Sequence, residues 1–198
     1  MGAGGHPPAS PTPATTAVPP PTTPTPGGAV SRDTDAATPW TRRPTGVLGG
    51  SPTGRRTRIS ANGKPRERRA LELENECVDR VAGKGYRVHQ NPTRQEIADA
   101  RRETGDSGRP EKAPDFLIEG HVFDCYAPTA PVPARAVWSA VSRKVDAEQT
   151  QRVMLNLHDW RGDLAALHKQ FHDWPMAGLK ELAAVTRDGA IIQIIRRD

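Results

Sequence analysis

The sequence predicts an α/β fold, with α+β as the alternative. The form expected is a mixed sheet flanked by helices and preceded by a disordered tail. Three observations carry this. Residues 66–82 place apolar side chains at helical spacing. Residues 152–157, RVMLNL, make a β-branched and apolar run of strand length. The composition also breaks near residue 64: the first 64 residues hold 12 of the 20 prolines and 10 of the 18 glycines. Only 35% of the chain is hydrophobic, well below the roughly 45–50% of ordinary domains. Confining the deficit to residues 1–64 leaves residues 65–198 as one domain of ordinary length.

The elements follow in order. Residues 66–82, RERRALELENECVDRVA, carry apolar positions at Ala70, Leu71, Leu73, Cys77, Val78, Val81 and Ala82, and Gly83 and Gly85 end the helix. Tyr86–His89 reads as a short strand. Asn91-Pro92-Thr93 turns and caps a polar helix over Arg94–Glu103. After a Gly/Pro-rich loop, Asp115–Ile118 and His121–Tyr126 read as strands joined by Glu119-Gly120. Residues 134–149 form an amphipathic helix with Val137, Ala140, Val141 and Val145 on one face. RVMLNL is then a central strand, Leu164–Phe171 a helix, and Leu179–Thr186 and Ile191–Ile195 a hairpin around Asp188-Gly189.

Residues 6–28, HPPASPTPATTAVPPPTTPTPGG, cannot bury enough apolar surface to offset chain entropy, and they read as a polyproline-type spacer. Residues 1–64 hold seven basic and two acidic side chains, which accounts for the whole net charge of +5. The remaining 134 residues are neutral, so the excess charge is assigned to the spacer, including the cluster Arg55, Arg56 and Arg58. No segment reaches the ~20 apolar residues of a membrane span. No apolar signal-peptide core is visible at the N-terminus. Two cysteines, Cys77 and Cys125, make no disulfide framework.

Ionisable residues at positions that should be apolar point to the chemistry. Glu74 has Ala70, Leu71, Cys77 and Val78 as its helical neighbours, which puts it at the centre of the apolar stripe. A two-residue turn at Glu119-Gly120 pairs Phe116 with Phe123 and sets Asp115 opposite Asp124. Two carboxylates so placed need a cation, a proton or a basic group between them, and hard divalent metals are held by such pairs. Lys144 lies at the edge of its helix's apolar face. Three carboxylates and a lysine make the set of a metal-dependent phosphodiesterase.

The order of Glu74 on a helix, Pro114-Asp115, Asp124 on the next strand and then a lysine resembles the PD-(D/E)XK nuclease superfamily. Four longer runs are ELENECVDRVAGKGYRVHQNP, PDFLIEGHVFDCYAP, AVWSAVSRKVDAEQTQRVMLNL and DWPMAGLKELAAVTRDGAIIQI. They resemble the C-terminal tRNase toxin domain of CdiA proteins, the contact-dependent growth inhibition effectors. The likeness covers about residues 70–198.

The resemblance implies a metal-dependent endoribonuclease that cuts tRNA, is delivered to act in the cytoplasm of a target cell, and is neutralised by a cognate immunity protein. It implies Glu74, Asp115, Asp124 and Lys144 as catalytic residues, the three acids holding a divalent metal such as Mg²⁺ or Zn²⁺. The family motif puts its lysine at position 126, where this chain has Tyr126. The lysine is therefore displaced to Lys144 or lost, and Tyr126 becomes a residue that lines the site.

Other candidates rank lower. Gln149 and Thr150 follow the Lys144 helix and flank the central strand, as lining residues or as an ordinary polar pair at a helix end. His168 and His172 sit four apart on one helix without a matching ligand pair nearby in sequence. His158 and Asp159 end the RVMLNL strand, a common place for sites. Trp138, Trp160 and Trp174 read as core or docking residues. Cys77 and Cys125 read as small buried hydrophobes next to Glu74 and Asp124. Two alternatives stay open: a DNA nuclease of the same fold, and a catalytically inactive nuclease-like binding module.

Overall fold

The computed structural model describes residues 38–197, together with Met1. The chain separates into units Met1–Asp33 and Thr34–Asp198, and every element named here lies in the second. The expected disordered tail falls on residues outside those described, up to position 37.

Among the described residues eleven elements follow in the order β1 (Thr53–Gly54), α1 (Pro65–Gly83), β2 (Val88–Gln90), α2 (Arg94–Thr104), β3 (Phe116–Ile118), β4 (His121–Tyr126), α3 (Ala134–Asp146), β5 (Arg152–Asn156), α4 (Leu164–Asp173), β6 (Glu181–Val185) and β7 (Ile191–Arg196). The strands form one seven-stranded mixed sheet in sequence order. β1 pairs with β2 in parallel, β2–β3–β4 run antiparallel, β4–β5–β6 are parallel, and β7 returns antiparallel. The architecture is thus α+β with a mixed sheet. β5 lies between two parallel neighbours, as its uninterrupted apolar run requires.

Local chemistry sets the ends of the elements. Pro65 starts α1, where the missing amide donor costs nothing. Thr93 and Glu96 form a capping box on α2, and Gly105 closes that helix in the left-handed conformation with φ 68°. The β3–β4 turn has positive φ at both Glu119 (50°) and Gly120 (78°), which gives the two-residue hairpin that the register required. Glu119 is held in this unfavourable conformation by donors from Thr45 and Arg87.

The sheet separates two apolar layers. On one face Phe123, Cys125, Met154 and Ala183 meet Cys77, Val78, Val81 and Ala82 of α1. On the other, Val153, Leu155, Leu182 and Ala184 meet α3 and α4 through Val137, Val141, Leu167 and Phe171. Ile97 and Ala100 of α2 cover Val122 on that second face.

Three expectations are corrected. The fold begins well before residue 65: Pro39 bridges Ile192, β1 extends the sheet, and Trp40 is buried in the α1 layer. Trp40 Nε1 donates to Glu181 Oε1 at 2.6 Å, and Arg42 donates to Glu181 Oε2 at 2.5 Å. Glu181 is fully buried and also accepts from Arg152 at 3.0 Å. A buried carboxylate with these donors fastens residues 38–42 to the sheet. The excess charge is therefore not confined to a spacer. The described residues include every basic residue except Arg32 and every acidic one except Asp33, Asp35 and Asp198, which leaves 27 against 20 and a net +7. Lastly, α3 stops at Asp146, because Glu148 turns the chain with φ 53° and puts Gln149 outside the helix.

Trp40→Ala should cost about 3–5 kcal/mol in urea unfolding of the full chain, because it empties a buried aromatic site and removes a donor from Glu181. An unchanged midpoint would place residues 38–42 outside the cooperative unit.

Candidate active site

β4 changes hydrogen-bonding neighbours half-way along its length. Residues 121–123 pair with β3, and residues 124–126 pair with β5. The β3 side of Asp124–Tyr126 is therefore open. Asp115, one residue before β3, fills part of the gap with its side chain: Oδ2 accepts from the Cys125 backbone N–H at 2.8 Å. The hairpin register that sets Asp115 opposite Asp124 is the one expected from sequence.

Asp124 shares its face with Val122, toward α2 and α3, and its carboxylate is completely buried. Lys144 of α3 donates to Asp124 Oδ2 at 2.5 Å. Asp124 Oδ1 is buried and has no hydrogen-bond partner. The carboxyl groups of Asp115 and Asp124 lie within hydrogen-bonding reach of each other. Burial first, then Asp124, then Glu74 push the Asp115 carboxyl well above the usual carboxylate range. Burial alone would depress Lys144, but the carboxylate of Asp124, reinforced by Asp115, outweighs it and raises its pKa.

Glu74 reaches the same place from the other face of the sheet. The buried side of α1 runs through Leu73, Cys77, Val78 and Val81, so Glu74 sits half-buried at its edge rather than at its centre. It lines a pocket of about 240 Å³ with Arg66, Ala70, Leu71, Cys125, Tyr126, Ala127 and Thr129. Asp115, Asp124 and Lys144 thus meet at the gap beside β4, Glu74 stands within electrostatic reach of Asp115 from the adjoining pocket, and Tyr126 lies on that pocket's wall.

Gln149 and Thr150 do not join this group. Thr150 is buried, donates to the backbone carbonyls of Val122 or Arg152, and accepts from Arg152 N, which ties β4 to the chain entering β5. The Gln149 carbonyl accepts from Arg101 of α2. Both complete the backbone's hydrogen bonding at the other end of β4. His158 and Asp159 pair with Glu76 and Arg69 of α1 and fasten that helix to the end of β5. Trp160 and Trp138 donate to the carbonyls of Val132 and Trp174 as docking contacts. His168 and His172 lie on α4, which packs against α3 and β7.

Sequence reasoning missed the support around Glu74. Thr57 Oγ1 donates to Glu74 Oε1 at 2.5 Å and accepts from Gln90 (3.0 Å) and Asn91 (2.8 Å). Asn75 donates to the Thr57 carbonyl at 2.9 Å and accepts from Gln90 at 2.8 Å. Two signals pointed to this network. Gln90 shares the inward parity of Val88 on β2, and Asn75 sits among buried residues on α1.

Among the described residues, no group of three or more His, Cys, Asp and Glu side chains is gathered closely enough to hold a metal ion as they stand. Lys144 and Thr57 occupy oxygens of Asp124 and Glu74. The donor set nonetheless suits a hard cation: Asp124 Oδ1 is buried and unpartnered, and it lies beside a second carboxyl that burial and like charge hold above its normal range.

Comparison with known proteins places the chain in a family. Residues 112–191 match the model for the contact-dependent growth inhibition CdiA C-terminal domain. The match includes Asp115, Asp124 and Lys144 and begins after α1. A solved CdiA-CT/CdiI toxin and immunity complex from Burkholderia pseudomallei superimposes with a TM-score of 0.62 at 31% identity, covering 75% of this chain and 100% of that one. The chain belongs to the CdiA C-terminal domain family. A curated relative, tRNA nuclease CdiA-2 of Burkholderia pseudomallei (strain 1026b), is 32% identical over 151 residues. The match takes in 76% of this CdiA C-terminal domain chain but only 4% of the relative's length. Among the described residues, no helix is long and apolar enough to cross a membrane.

In EDTA, Asp115→Asn should be more stable than wild type at neutral pH. An acid whose folded pKa is raised holds its proton more tightly when folded, so its contribution to stability falls as pH rises from the unfolded carboxylate range toward the folded pKa. The variant's advantage should shrink toward about pH 4, where the unfolded carboxyl is also protonated. Parallel stability curves for the two proteins would contradict the pairing of Asp115 with Asp124.

Proposed function

We propose that this chain is a metal-dependent endoribonuclease toxin that cleaves tRNA, with Glu74, Asp115, Asp124 and Lys144 as its catalytic residues. One observation carries the reading: two apposed carboxylates open onto a gap in the sheet, one buried oxygen lacks a partner, and a lysine stands against them. The likeness to a protein named as a tRNA nuclease and to a toxin supports the substrate and the biological role.

Asp115 and Asp124 would hold a divalent cation such as Mg²⁺ or Zn²⁺, with Glu74 completing the set. Such a cation, when bound, supplies an activated water and neutralises charge developing on phosphate. The chain's own groups do the rest. Lys144 keeps its proton at the Asp124 carboxylate, so a positive charge stands ready for an oxyanion where that carboxylate is also engaged. Asp115 holds the backbone of β4 through Oδ2 and lies within hydrogen-bonding reach of Asp124. Glu74 is fixed by Thr57 and lines the pocket through which a phosphodiester would enter. The solved toxin's pairing with an immunity protein supports an equivalent partner for this chain. Family membership supports delivery as an effector that acts in the cytoplasm of a target cell.

The purified chain incubated with total tRNA and Mg²⁺ or Zn²⁺ should cut it, EDTA should stop the cutting, and Asp124→Ala should lower the rate by roughly a thousandfold or more. Metal-independent cleavage, or full activity of the variant, would overturn the assignment. Nicking of plasmid DNA with intact tRNA would redirect it to DNA.

A further inference from the structure

Three carboxylates repel a polyanion, and Lys144 is already committed to one of them. A nucleic acid can approach only if cations beside the site neutralise the flanking phosphates. We propose that the strap of residues 53–58 is a phosphate-binding element that seats the substrate's backbone across Glu74, with Arg66 on the opposite flank. This rests on the nuclease reading above and extends it to how the substrate is held.

The strap is built into the fold. β1 adds to the sheet beside β2, Arg55 N donates to the Gln90 carbonyl, and Asn91 donates to the Arg55 carbonyl at 2.7 Å. Arg56 makes a two-pronged pair with Asp79 of α1 at 2.8 and 2.7 Å. Thr57 is locked by Asn75, Gln90 and Asn91 and holds Glu74 in turn. A connecting loop needs none of this; here two buried polar side chains, Asn75 and Gln90, are committed to it.

The arginines divide into two kinds. Arg56, Arg69 and Arg80 pair with Asp79, Asp159 and Glu76. Arg55, Arg58 and Arg66 have no carboxylate partner among the described residues, and all three are exposed. Arg55 and Arg58 line a surface cleft of about 570 Å³ with Arg56, Thr57 and Asn91. Arg66 lines the Glu74 pocket. The Thr57–Glu74 hydrogen bond joins the two concavities, so unpaired guanidinium groups stand on both sides of Glu74. The net +7 of the described residues agrees with such a binding face.

The test measures binding without turnover. The full chain carrying Asp124→Ala is titrated into a fluorescein-labelled tRNA transcript across a NaCl series, and the same is done after adding Arg55→Ala and Arg58→Ala. Removing two phosphate contacts should weaken binding about tenfold at low salt and reduce the slope of log K against log salt by about 1.5–2. Arg135→Ala with Arg143→Ala, which removes two exposed charges from α3, should leave that slope unchanged. Arg55→Gln with Arg58→Gln should repeat the loss while keeping more of the side-chain bulk. If the strap variants bind like the α3 control while the wild-type chain cuts tRNA, the strap proposal fails and the nuclease reading stands. If the parent binds no tRNA and the wild type cuts none, both fall.

Discussion

Strand β4 divides its hydrogen bonds between two neighbours, β3 up to Phe123 and β5 from Asp124 onward. The candidate site depends on that exchange. A sheet closed along the whole of β4 would keep α1 and α3 apart on opposite faces. The open edge lets Glu74 arrive from one face and Lys144 from the other. It also leaves the Cys125 N–H without a strand partner, and Asp115 satisfies it with a carboxylate. An apolar residue at 115 would leave a buried donor unpaired, at a cost of about 1–3 kcal/mol. One carboxylate therefore serves both the backbone and the proposed chemistry.

The arrangement is locally unfavourable. Asp124 is fully buried, one of its oxygens has no partner, and a second carboxyl faces it. Lys144 offsets one charge, while burial and the like charges of Asp124 and Glu74 hold the Asp115 carboxyl above its usual range. A site of this kind exchanges stability for a standing demand for positive charge, which a cation or a substrate-bound cation can meet. The surrounding structure tolerates it because the two apolar layers and the Trp40–Arg42–Glu181 anchor fix the sheet independently.

Much of this was legible in the sequence. Apolar spacing and the cap at Thr93 located the four helices of the described residues, α3 three residues too long, and Glu119-Gly120 set the hairpin register that faces Asp115 toward Asp124. Lys144 was legible as a charge at the edge of an apolar face. What stayed hidden depends on distant partners. Residues 38–64 are rich in Pro, Gly and Arg, so averaged composition grouped them with the tail. Their order comes from Glu181, Gln90 and Asn75, far away in the chain. Thr57 carries no motif, and its role exists only because β1 lies alongside β2. Gln149 and Thr150 were drawn toward the site by nearness in sequence, whereas the early end of α3 turns them to the other end of β4.

On the proposed function, the gap beside β4 is a cation site built from Asp115 and Asp124. Crystals of the full chain soaked in Mn²⁺ and measured at a wavelength where manganese scatters anomalously test it most directly. An anomalous peak in contact with both carboxylates is expected. Saturating Mn²⁺ with no peak there, or a peak only elsewhere, would contradict it.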